Sequence, residues 1–230
     1  MRRGFSGMQG IIVGALVVAG ACGSDKNSTT TPLVATTITA SSAANGQTGA
    51  VATALAQPIA VQVLDQNGAP LNNAVVTWTV ESGGGSVATP TTSTDASGNA
   101  SVVWTLGTVT GLDSLKASIP SGASAFITAT ATAGSPSAIQ IKSGGTQTVA
   151  AGSQTAPMVV QVIDQFANPI ANATVAWTVA GGGSLSATST TTDSTGTTQV
   201  TLTTDPAPAV YQVIATSGSM SPVTFGITSM

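Results

Sequence analysis

Apolar residues return at every second position in residues 58–80: Ile59, Val61 and Val63, then Val76, Trp78 and Val80, with Gln62, Thr77 and Thr79 on the alternate phase. Side chains of a strand point to its two faces in turn, so this spacing predicts two strands with one buried and one wet face each. Residues 157–179 repeat the pattern with Met158, Val160, Val162 and Val175, Trp177, Val179, while Gln161, Thr174 and Thr178 take the other phase. Each Trp is therefore expected in a core. Asp65, Asn67, Gly68, Pro70 and Asn73 separate the first pair of strands, and Asp164, Asn168, Pro169 and Asn172 the second. These residue types preset turns or hydrogen-bond the backbone locally, and no helix runs through them.

The rest of each copy continues in the same style. A first strand is expected over residues 34–40 and its counterpart over 138–142, with a linker at 133–137 (AGSPS). Glycine runs at 83–85 and 181–183 follow the central strands; a phosphate loop needs a following Lys-Ser or Lys-Thr and a helix, so tight connections are predicted. Turns carrying Asp95 with Gly98, and Asp193 with Gly196, precede strands built on Val102, Trp104, Leu106 and on Val200, Leu202. Leu115, Ala117, Ile119 and Tyr211, Val213, Ala215 mark further strands, and the last strands fall near 125–131 and 223–228. About seven short strands per copy, with turns between them, predict an all-β chain of two tandem β-sandwiches, residues 32–133 and 134–230. Copies of this length are large enough to bury a core each.

Residues 1–21 lie outside this pattern. Arg2 and Arg3 precede an apolar run over 11–18 and the small residues Ala19, Gly20 and Ala21, which reads as an export signal too short to span a bilayer. At Ala19-Gly20-Ala21-Cys22 the leader resembles a bacterial lipoprotein signal, with Ala19 where Leu is usual. That resemblance implies lipidation of Cys22, cleavage before it, and a membrane-anchored protein of the outer membrane or cell surface, Gly23 standing where Asp would imply inner-membrane retention. Two or more acyl chains hold a protein stably on a membrane. The alternative for a lone Cys is an inert buried thiol, and Arg2-Arg3-Gly4-Phe5 also has some likeness to a twin-arginine motif. Residues 22–31, polar and unpatterned, form a flexible tether.

Charge and chemistry narrow the function. Once the leader is removed, three lysines face eight acidic residues, a net charge of −5 with no basic patch for nucleic acid. With no His in the chain, the commonest general base and transition-metal ligand is missing. A nucleophilic Ser or Thr has only Lys26, Lys116 or Lys142 as a base, none in a recognisable motif, so no enzyme activity, no catalytic residue and no cofactor is expected. Asp65, Asp95, Asp164 and Asp193 sit at equivalent turns of the two copies; backbone capping is expected of them, with weak calcium binding the alternative.

These residues resemble the group 1 bacterial immunoglobulin-like domains, the repeats that build the rods of invasin and intimin adhesins. The likeness runs through Asp65, Asn67, Gly68, Pro70, Val76 and Trp78, then Thr94-Asp95-Ala96 with Gly98 and Ala100. It returns at Asp164, Asn168, Pro169, Val175, Trp177 and Thr192-Asp193 with Gly196, covering nearly all of 34–230. It implies two antiparallel sheets per copy, surface exposure and a spacing or adhesive role. The membrane barrel and lectin-like tip of those adhesins have no counterpart, so their receptor binding is not implied. The expected partners are the membrane, through the lipidated N-terminus, and a protein or glycan at the cell surface. The alternative function is an envelope partner-binding or glycan-binding module using loops of the second domain, which the lipid would place outermost. Phe166, in the turn where copy one has Asn67, is the candidate contact, with packing on the end of the first domain as the competing role.

Overall fold

The computed structural model describes residues 31–230; the leader, Cys22 and most of the tether lie outside the described residues. Among the described residues every regular element is a strand, and no helix long and apolar enough to cross a membrane occurs. The first copy forms β1 (Ala35–Ala40), β2 (Gln47–Ala50), β3 (Ile59–Asp65), β4 (Val75–Ser82), β5 (Ser86–Val87), β6 (Thr91–Ser93), β7 (Asn99–Val102), β8 (Trp104–Thr105), β9 (Gly111–Ser118) and β10 (Ser124–Thr132). The second repeats it as β11 (Pro136–Ser143), β12 (Thr146–Val149), β13 (Met158–Asp164), β14 (Thr174–Ala180), β15 (Ser184–Leu185), β16 (Ser189–Thr191), β17 (Thr197–Val200), β18 (Leu202–Thr203), β19 (Val210–Thr216) and β20 (Val223–Ser229).

Each copy faces a three-stranded sheet, β1-β3-β7 or β11-β13-β17, with a five-stranded one, β2-β10-β9-β4-β6 or β12-β20-β19-β14-β16. The alternating residues make this possible: β3 and β13 show the same inward phase, and Ile59, Val63, Met158, Val160 and Val162 are fully buried. Two separate cores result, one around Trp78 and Trp104, the other around Trp177, Tyr211 and Phe225. Burying each such aromatic ring stabilises its sandwich by several kcal/mol, on the order of 3–5.

Among the described residues each copy has ten strands where about seven are expected, the short β5, β6, β15 and β16 being additions. The structure departs from the expected strands in further places. The segment holding Val102, Trp104 and Leu106 is not one strand: it breaks at Val103, β7 pairing with β3 and β8 with β5. The chain leaves the three-stranded sheet there for a separate two-stranded one, β5-β8, and two-residue alternation survives the break because Val102, Trp104 and Leu106 all stay in one core. The short strands β2 and β12 had no apolar alternation to announce them; each lies parallel to the last strand of its own sandwich. The expected linker is also shorter, since β11 begins at Pro136.

Candidate functional site

The four turn aspartates direct their carboxylates at the backbone. Asp65 Oδ1 accepts the N–H groups of Asn67 at 2.8 Å and Ala69 at 2.9 Å, and Asp95 Oδ1 those of Ser97 at 2.8 Å and Asn99 at 2.9 Å. Asp164 Oδ1 accepts from Phe166 and Asn168, both at 2.8 Å, and Asp193 Oδ1 from Thr195 at 2.8 Å and Thr197 at 3.0 Å. Donors aimed at a carboxylate favour its ionised form. The Ala69 N–H accordingly holds Asp65 below the ordinary carboxylate range, against the upward push of burial and with help from Asn67 and Gly68. The Thr195 hydroxyl and the Thr197 N–H bring Asp193 down to about 2. Among the described residues no group of three or more His, Cys, Asp or Glu side chains is placed to hold a metal ion.

Asp164 does more than its counterpart. Its Oδ2 accepts the N–H of Gly134, in the segment joining the sandwiches, at 3.0 Å and the Asn168 side-chain amide at 2.9 Å. Burial pushes the Asp164 carboxyl up, yet Asn168, Gly134 and Phe166 together outweigh it and hold the pKa below the ordinary value. The Asn168 amide reaches across to the first sandwich: Nδ2 donates to the Thr108 carbonyl at 2.8 Å, and Oδ1 accepts the Thr110 N–H at 3.1 Å. Asn168 is 5% exposed and Asp164 2%. Loop 107–111, the joining segment and turn 164–170 thus form one hydrogen-bonded network, closing the loop between β8 and β9 of one sandwich on the turn after β13 of the next.

Phe166 stands beside this network. Its ring, 37% exposed, lines a groove of about 430 Å³ together with Val51 and Thr53 of the first sandwich and Pro136 and Gln165 of the second. The candidate contact therefore lies at the joint, while its own N–H caps Asp164. By residue type alone Asn168 is a turn residue; the signal for its second role is the comparison of copies, because copy one has Ala69 there.

Residues 138–228 match the family model of the bacterial Ig-like domain (group 1). The second sandwich is a bacterial Ig-like domain of group 1. The first repeats this Ig-like domain in sequence and in strand order. Among solved structures the chain is similar to FdeC, an Escherichia coli adhesin, at 19% identity and a TM-score of 0.57, over 86% of this chain and 64% of that one. It also matches the D0-D1 domain of intimin at 22% identity and a TM-score of 0.34, covering 85% of this chain and 98% of that one. Invasin, a bacterial integrin-binding protein, matches at 22% identity and a TM-score of 0.39, over 85% of this chain and 40% of that one. No curated protein matches the chain.

Proposed function

We propose that this protein is a lipid-anchored component of a bacterial cell envelope whose two Ig-like domains act as a surface spacer or adhesion module. The observation that carries the reading is the joint: two sandwiches of one design follow each other end to end, with half-buried hydrogen bonds from turn to loop. An arrangement of that kind holds its far end at a set distance from its point of attachment. The leader motif ending in Cys22 supplies the attachment. FdeC, whose fold it shares, is an adhesin. The alternative reading, a partner-binding or glycan-binding module, draws on Phe166; the placement of that ring on the joint groove favours the spacer.

The test is Cys22→Ser in the producing cell. The variant is expected to leave the membrane fraction and to lose the mass of the acyl chains, with both domains still folded. Retention on the membrane with an unchanged lipid mass would remove the anchor from the proposal.

A further inference from the structure

The two copies allow each half of the joint to be compared with its own counterpart. The Asp65 and Asp164 turns align residue for residue, placing Ala69 opposite Asn168. At the other pole, Leu112 pairs with Thr130 as Val210 pairs with Thr228. The Gly107 N–H is taken up by Asp113 just as that of Asp205 is by Tyr211, so Thr110 corresponds to Pro208. Copy one therefore lacks the amide that reaches out, and copy two lacks the N–H that donates to its oxygen, because proline has none.

From this asymmetry we infer that Asn168 and the Thr108–Thr110 backbone form an order-specific clasp that locks the first sandwich to the second at one angle, and that the outer poles of the chain do not carry it. The amide uses both ends: two donor bonds, to Thr108 and Asp164, and one acceptor bond, from Thr110. Swivelling the sandwiches would break the two bonds that cross the joint and leave nearly buried polar atoms without partners, which is why such networks resist partial opening. Gly134 ties the joining segment into the same network through Asp164. Aspartate at position 168 could not replace the amide, since it has no donor and would set a second carboxylate against Asp164. Copies of this chain do not stack end to end through this clasp, because Ala69 and Pro208 occupy the places where it would form.

The inference deepens the spacer reading, and its failure would leave the lipid anchor untouched. Spin labels on Thr91→Cys and Ser189→Cys, exposed and equivalent positions of the two sandwiches, report the distance between them. They are read in the full chain, in detergent, with Cys22→Ser removing the remaining thiol. A single narrow distance is expected. Asn168→Ala and Asn168→Asp should each at least double the width of the distribution while the thermal transitions stay within a few degrees. Thr110→Pro, which copies the proline that the second sandwich accommodates, should do the same without touching the turn. The double variant Asn168→Ala/Thr110→Pro should be no broader than either single change. A width unchanged in both single variants, or a distribution already broad without them, would overturn the clasp. So would an Asn168→Ala effect confined to the melting of the second sandwich.

Discussion

At the scale of single residues, the three Trp rings illustrate how burial and hydrogen bonding part company. Trp78 Nε1 donates to Thr92 Oγ1 at 2.9 Å and Trp177 Nε1 to Thr190 Oγ1 at 2.8 Å, whereas the buried Trp104 Nε1 meets no acceptor among the described residues. A buried donor without a partner carries its desolvation cost uncompensated. Trp104→Phe should therefore leave stability within about 1 kcal/mol of the parent, while Trp78→Phe, which strands Thr92 and loses a bond, should cost about 1–2 kcal/mol more. Urea unfolding of the two variants checks the order; equal losses would show that the Trp104 N–H has a partner after all. Copy two solves the same position differently, with Leu202 in place of Trp104 and Tyr211 in place of Asp113, shifting ring volume from one strand to its neighbour while still satisfying the loop N–H.

At the scale of elements, the carboxylate turns carry the chain between sheets: those of Asp65 and Asp164 lie between β3 and β4 and between β13 and β14, and those of Asp95 and Asp193 between β6 and β7 and between β16 and β17. The turn after β3 crosses with Gly68 at φ 78°, and the turn after β13 with Ala167 at φ 67°, so the second copy tolerates a side chain where the first uses glycine. Depressed carboxyl pKa values carry a sign: a group ionised more easily in the folded chain adds stability above its unfolded pKa, near 3.8, and loses it as pH falls through the folded value. Melting temperature is thus expected to be flat above about pH 5 and to fall between about pH 4 and pH 2. Asp193→Asn keeps an acceptor for the Thr195 and Thr197 N–H groups but no longer titrates, so it should flatten the acid slope of the second domain. A slope that is the same with and without Asp193 would refute its share.

For the whole molecule, the separation of the two cores predicts independent unfolding. Trp177→Ala removes a ring 1% exposed that packs 6.0 Å from the Phe225 ring, and should cost the second domain about 3–5 kcal/mol. Calorimetry should show one transition lowered and the other nearly in place, the polar clasp coupling them weakly. Both transitions falling together would mean a single cooperative unit.

The local pattern was enough for the two sandwiches and their cores, because a strand with one dry face writes its period directly into the order of residues. Ile59, Val61, Val63, Trp78 and their counterparts could be placed inside from spacing alone, and the aspartate turns from the chemistry of Asp beside Gly, Asn and Pro. Strands β2 and β12 could not, since each borrows its order from a parallel neighbour about 80 residues away and not from its own side chains. The joint was equally hidden. Asn168 suits its turn whether or not another domain lies nearby, and only the folding of loop 107–111 against it turns a turn residue into a bridge between domains. Periodicity records which face a side chain takes; which distant backbone atom it meets is decided when the two sandwiches come together.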